Sequence, residues 1–561
     1  MKLRAALAPV AGWLLPAAAL VWLALGTFAP PAAEDLALEA AAVLVCAALH
    51  GAWAARNPSR PAVLLGPVAL GFLSVVHADV VLPAARVAVY PLVGAALLAA
   101  AVALRAPGAL VLPAALLAAV IARLAALWGE TVPAPATHLA QELQARLPAA
   151  RPAGQGPPVV VLTIDTLRAD AAVQMDTWAA LAPRGRAFPR ALAASSWTVP
   201  SLSTLWTGAP AHVHGAGART PNGGYTPLDP SLSTLPEELA TAGYDTAAFV
   251  VNPFASRQLG IGRGFRTWFH ADEHVPQRLP FSGRPDGPHA GDATRVVDHA
   301  LAWLDGAPDG GWLLWVHLFD PHLPYRHLAP AHPARLIKHP KQIRNGALGD
   351  TTRLENAVRR AYLDEVDYAD AEALRLVEAL DARGFFTDGL FVFTSDHGEE
   401  LWDHGGFEHG HSHHGEVTDV GLLLAAPGLA ATPAASPGQV GLLDVANTLR
   451  AATGLPAQGP GLDLRGPIPA GRILTATGNL YGDPQSSARS TTARAIVDRP
   501  PEALPTTRRF DLRADPREMA PLPDDPADPV RNAALLTPVP EAKGPAADVN
   551  EERLRAIGYL D

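Results

Sequence analysis

Cysteine is almost missing from this chain, since Cys46 is the only one in 561 residues. No intrachain disulfide can form, and a lone thiol inside an apolar segment reads as a small core hydrophobe that says nothing about redox compartment. A basic surplus is missing too. With 44 basic against 54 acidic residues the formal charge is -10, which argues against nucleic acid as a partner, because phosphate neutralisation needs a basic surface. Charge of either sign is scarce from Met1 to about Trp128, where Ala, Leu and Val dominate, and it returns at ordinary density after Arg151. A chain of this length exceeds one hydrophobic core, so at least two structural units are expected.

Five stretches in the charge-poor part, 8–29, 36–55, 61–78, 87–104 and 108–128, meet the need for roughly 20 apolar residues to cross about 30 Å of hydrocarbon. Lys2, Arg4, Arg56, Arg60 and Arg105 fall on alternate connections, and Glu34, Asp35 and Asp79 on the others; Arg86 departs from the pattern. With the basic connections cytoplasmic, five spans predict a multi-pass integral membrane protein in contact with the lipid bilayer, its remaining residues extracytoplasmic. The basic start of the first span also fits a cleaved signal peptide, although further spans follow directly. Paired intramembrane acidic and polar residues are absent, which argues against an ion pathway, and Arg123 near the end of the fifth span reads as a snorkelling side chain. Residues 130–157 form a connector. Its part 137–147 has the pattern of a short amphipathic helix, and the Pro- and Gly-rich lead-in 150–158 cannot hold regular structure.

Beyond the connector, nearly unbroken apolar runs at 159–164, 246–251, 312–318, 389–394 and 421–426 read as strands buried on both faces. Helical patterns at 232–242 and 354–382 alternate with them. The expectation is an α/β fold, a mainly parallel sheet sandwiched by helices. Ligands of such sheets bind beyond the carboxyl ends of the strands. Asp165, Asp320 and Asp396 stand at those ends, the last opening Asp396-His397-Gly398-Glu399.

Thr198 precedes Pro200 and a helix-compatible stretch that ends at Gly208. It reads as an N-cap whose hydroxyl would meet free backbone N–H groups and an anion drawn to them; taken alone it reads first as a plain cap, and the Asp165 and Asp396-His397 fragments reverse that. A threonine hydroxyl is a weak nucleophile until a divalent cation favours its alkoxide. Asp165, Thr198, Asp396 and His397 are therefore the candidate metal ligands. Two carboxylates and an imidazole favour manganese or zinc, with calcium or magnesium as alternatives. His322 is a candidate proton donor to a leaving group. The imidazole-rich segment 403–414 adds His409 as a further catalytic candidate. It also adds His411, which with Asp320 is a candidate for a second metal or the substrate; the segment reads equally as a solvated loop.

These fragments together resemble the sulfatase family of the alkaline phosphatase superfamily, from about Val159 to the C-terminus. Val161-Leu162-Thr163-Ile164-Asp165-Thr166 resembles its first metal-ligand strand, and Ser196-Trp197-Thr198-Val199-Pro200-Ser201 its nucleophile helix. Gly243-Tyr244, Gly264-Phe265, Asp320-Pro321-His322 and Thr394-Ser395-Asp396-His397-Gly398-Glu399 follow in the family's order. Phe510-Asp511-Leu512 with Glu518, and the ending Ile557-Gly558-Tyr559, resemble its C-terminal part. The apolar stretches give a transmembrane region over 1–129, and the resemblance implies a catalytic domain over 158–439 with a small C-terminal subdomain over 440–561. True sulfatases convert a Cys or Ser to formylglycine at the position of Thr198, and threonine cannot give that aldehyde. Leu202 stands where their motif has arginine, and their usual lysine has no match. The threonine is more similar to lipoteichoic acid synthases and phosphoethanolamine transferases, which implies a phospho-threonine route. The expected activity is hydrolysis or transfer of an anionic phosphate or sulfate ester of a glycan, lipid headgroup or small molecule. An inactive module that binds such anions is the alternative.

Overall fold

The computed structural model divides into two compact units, residues 1–134 with 276–287, and 135–275 with 288–561. It describes residues 151–221, 224–270, 293–325, 352–429, 438–542 and 545–547, all in the second unit. The five expected spans, the expected helix at 137–147 and the terminal Ile557-Gly558-Tyr559 lie outside the described residues. Among the described residues no helix is long and apolar enough to cross a membrane.

Seven strands form the central sheet: β1 (Val159–Ile164), β2 (Gly185–Leu192), β3 (Asp245–Val250), β4 (Thr267–His270), β5 (Trp312–Leu318), β6 (Leu390–Ser395) and, further along the chain, Asp419–Ala425. Two short strands intervene, β7 (Glu400–Leu401) and β8 (Phe407–Glu408), so that Asp419–Ala425 is β9. The sheet order is β2-β9-β6-β1-β5-β3-β4. All pairings from β6 to β4 are parallel, and β9 runs antiparallel to both of its neighbours. The expected mainly parallel sheet is thus observed.

Strand periodicity divides the core cleanly. Val160, Leu162 and Ile164 of β1 face one apolar cluster, Val159 and Val161 the other, as alternating side chains must. The first face is covered by α1 (Asp176–Leu181), α4 (Ala293–Leu304) and α5 (Thr352–Ala382). The second is covered by α2 (Thr198–Thr207), α3 (Leu235–Thr241) and α6 (Val445–Ala452). All ten residues of α2 are buried, and hydroxyls along it find partners inside, Ser201 on the Ser195 carbonyl, Thr204 on His214 and Thr207 on the Ser203 carbonyl. Trp206 of α2 meets Trp315 of β5 edge-on at 5.2 Å. Leu202 and Leu205 each contribute about 1.5–3 kcal/mol by leaving water.

The second sheet is antiparallel, β10 (Leu474–Thr477), β11 (Gln485–Arg489), β12 (Ala493–Asp498) and β13 (Thr506–Asp511) in sequential order, with α7 (Pro529–Leu536) packed on it. It starts at Leu474, later than the expected boundary near 440. Val440, Val445, Leu449 and Leu464 belong to the core of the large sheet instead.

Candidate metal centre

The parallel strands β1, β3, β5 and β6 end at the same edge, and each delivers a polar side chain there. Asp165 follows β1, Asn252 follows β3, His317 is the penultimate residue of β5, and Asp396-His397 follow β6. All five are fully buried. Asp165, His317 and Asp396 each offer a ligand atom within 4.8 Å of the other two. Oδ2 of Asp165 is 3.3 Å from Nε2 of His317, yet Oδ1 of Asp165, Oδ2 of Asp396 and Nε2 of His317 form no hydrogen bond. Unsatisfied buried carboxylates cost several kcal/mol unless a cation meets them, so the donor set and the orphaned atoms fit a divalent metal ion.

The electrostatics agree. Burial alone would raise the Asp165 carboxyl, but His317, His322 and His397 outweigh it and hold it at about 2. Burial and the adjacent Asp165 charge push Asp396 up to about 6. A pair of carboxylates driven apart in this way is what two like charges sharing one dry site produce.

His317 lies opposite Thr163 in the β1–β5 register, and parallel neighbours in register share a sheet face. Thr163 Oγ1 is accordingly 2.8 Å from Nδ1 of His317, and it accepts a hydrogen bond from Nε1 of Trp315 at 2.9 Å. This outer bond leaves Nε2 of His317 for the cation. His397 lies outside the tight trio but beside both carboxylates, its Nε2 being 3.3 Å from Asp396 Oδ2 and 3.7 Å from Asp165 Oδ1. Its Nδ1 donates to the carbonyl of Gly398 at 2.9 Å. Gly398 itself runs against the carbonyl of Glu416, where a Cβ would come within 2.1 Å.

Thr198 is the first residue of α2 and not its cap. Trp197, in extended conformation, takes the cap position, and Gly208 at φ 73° closes the helix. The threonine hydroxyl is therefore not spent on its own helix. Oγ1 is 3.3 Å from Nε2 of His397 and accepts from Nδ2 of Asn252 at 3.2 Å. Four of the expected site residues, Asp165, Thr198, Asp396 and His397, thus come together.

The remaining candidates divide. His409 is buried, its ring 4.5 Å from that of His397 and 5.1 Å from that of His322, and its Nδ1 donates to Glu399 at 3.1 Å. His322 stacks on Phe319. Asp320 instead accepts from the backbone N of Ala293 at the start of α4, 3.0 Å away. His411 pairs with Glu400 at 2.9 Å, and that carboxylate, against the burial that lowers it, raises the imidazole above its ordinary range. Neither joins a second metal group among the described residues. The rest of the imidazole-rich segment serves the junction of the two sheets: His413 bonds Ser487, His414 pairs with Glu518, and Nε2 of His404 donates to the Glu518 carbonyl at 3.1 Å.

Sequence reasoning missed His317 and Asn252. The signal for the first was a lone imidazole near the end of a run otherwise free of charge. The second stood just beyond the apolar run 246–251, where Asn reads as ordinary turn chemistry.

A relative in Rhizobium meliloti (strain 1021), a choline-sulfatase, is 29% identical over 187 residues, 32% of this chain and 35% of that protein. The matched segment thus spans about a third of the curated relative. Among solved structures, a 2-O GAG sulfatase superposes with a TM-score of 0.54 at 17% identity, over 66% of this chain and 88% of that one. A protein from a glycosaminoglycan-metabolising locus of Bacteroides thetaiotaomicron does so with a TM-score of 0.50 at 16% identity, over 66% and 92%. These likenesses show a shared fold. The family model for sulfatases matches residues 157–455, more than half of the sequence and every strand tip just described, so the chain belongs to the sulfatase family.

Proposed function

We propose that this chain is a metal-dependent enzyme that hydrolyses or transfers phosphate or sulfate esters through Thr198. The observation that carries the reading is the buried Thr198 hydroxyl, set between His397 and Asn252 at the edge of the Asp165–His317–Asp396 group. Family membership supports ester chemistry and metal dependence. A cation held by Asp165, His317 and Asp396, with Thr198 and His397 beside it, would act as Lewis acid and favour the threonine alkoxide.

In the reaction, Oγ1 of Thr198 forms a bond to phosphorus or sulfur and gives its proton to Nε2 of His397, 3.3 Å away. The bond to the ester oxygen breaks, and that oxygen takes a proton from an imidazole, His409 or His322. Water or an acceptor hydroxyl then releases the group from Thr198. Phosphorus is the preferred centre, because threonine cannot supply the formylglycine aldehyde. The name of the Rhizobium relative keeps sulfate esters among the substrates to be tried. The apolar stretches 8–29, 36–55, 61–78, 87–104 and 108–128 support a membrane anchor with the catalytic unit outside the cytoplasm and a lipid headgroup or glycan ester within reach.

The test compares aryl phosphate, phosphodiester and aryl sulfate hydrolysis by the wild type and Thr198→Ala, with manganese or zinc added. Thr198→Ala should lose at least about a thousandfold in kcat. Full activity in that variant removes Thr198 as nucleophile, and turnover of the sulfate alone reverses the preference for phosphorus. No turnover of any ester favours an anion-binding module.

A further inference from the structure

We propose that Asn252 is a further catalytic residue, whose carboxamide fixes the Thr198 oxygen for attack; this rests on the reading of Thr198 as the nucleophile. Asn252 lies just beyond the carboxyl end of β3 and is fully buried. Its Nδ2 donates to Oδ2 of Asp165 and, at 3.2 Å, to Oγ1 of Thr198. Its Oδ1 accepts from the backbone N of Phe254 at 2.7 Å, and its carbonyl lies 3.2 Å from Nε2 of His270.

The amide orientation follows from this inventory. Flipping it would turn Oδ1 toward two oxygens and Nδ2 toward an N–H, so only one orientation satisfies every group. The Thr198 oxygen therefore always accepts from Asn252, and its own hydrogen points away from that amide. The other partner of Oγ1 is Nε2 of His397, 3.3 Å away. Because Nδ1 of His397 donates to Gly398, Nε2 of the neutral ring is an acceptor. A threonine hydroxyl, otherwise divided between rotamers, is held from two sides here. The same amide ties it to Asp165, so that the attacking oxygen and a carboxylate of the metal group keep a fixed separation. Asn252 donates throughout and exchanges no proton.

Two substitutions separate this role from a structural one. Asn252→Asp keeps the acceptor that holds the Phe254 turn and deletes both donors, whereas Asn252→Ala removes everything. Hydrolysis of aryl phosphate with manganese is measured for both beside the wild type and Thr198→Ala, and calorimetry with manganese alone checks that each variant keeps a folded site. Both Asn252 variants should lose about a hundredfold in kcat with KM little changed. Wild-type kcat in Asn252→Asp, with loss only in Asn252→Ala, would reduce Asn252 to a turn former and overturn the proposal. Should Asn252→Asp fail to bind manganese, Asn252→Ser decides, because its hydroxyl can still donate: it must exceed Asn252→Ala in kcat, and equality overturns the proposal. Full activity in Thr198→Ala overturns both this role and the nucleophile reading, whereas full activity in Asn252→Asp overturns this role alone.

Discussion

Oγ1 of Thr198 and Nε2 of His397, 199 residues apart in the chain, are 3.3 Å apart in space. The first residue of a buried helix thereby meets the second residue beyond a buried strand. Helix and strand are each buried over their full length, so both partners stand within two residues of a packed element.

Removing one carboxylate should separate metal binding from stability. Asp396→Asn should weaken manganese binding in calorimetry and raise the melting temperature of the metal-free protein, because two buried like charges become one. The wild type should show the matching pH dependence. The Asp396 carboxyl is raised from 3.8 to about 6 by burial and by Asp165, so its contribution to metal-free stability falls as pH rises across that interval. The melting-temperature gain from manganese should therefore grow over the same interval.

Thr163 is not one of the three candidate ligands, yet its hydroxyl orients His317 from 2.8 Å. Thr163→Val keeps the shape and removes that partner. Manganese affinity should fall by about 10- to 100-fold, with secondary structure unchanged by circular dichroism.

A proton donor is needed only when the leaving oxygen is basic. His409→Gln should cost about a hundredfold or more in kcat on alkyl esters and far less on nitrophenyl esters. Equal losses on both would assign His409 to binding and not to proton transfer.

Glu518, which follows the second sheet, pairs with His414 of the catalytic unit at 2.8 Å and with Arg494 of β12 at 2.7 Å. Burial would raise its carboxyl, but Arg494 and His414 hold it at about 2 against the ordinary 4.5. That corresponds to about 3 kcal/mol, present above pH 4.5 and lost as pH falls toward 2. Glu518→Gln should destabilise the protein by a similar amount at neutral pH in chemical denaturation, and its stability should fall less steeply below pH 4.5.

Much of the fold was legible because strands buried on both faces write themselves as unbroken apolar runs, as at Val159–Ile164 and Trp312–Leu318. β2 did not, because it is an edge strand carrying Pro189, two arginines and a register shift between Phe188 and Ala191. β4 is a four-residue edge. Asp165, Asp396 and His397 were legible because charge at the tip of an apolar run is conspicuous. Asn252 and His317 were not, since their meaning comes from register and from which strands are neighbours. His409 and His411 both stood out from one imidazole-rich segment of the sequence. Only the fold shows one turned to Glu400 and the other to Glu399 beside His397.

The central claim, that Thr198 carries the transferred group, is tested most directly by rapid-quench mass spectrometry during turnover of an aryl phosphate with manganese. The account predicts a phosphoryl group on Thr198 in the wild type and none in Thr198→Ala. Turnover with Thr198 unmodified and the phosphoryl group on another side chain would contradict it.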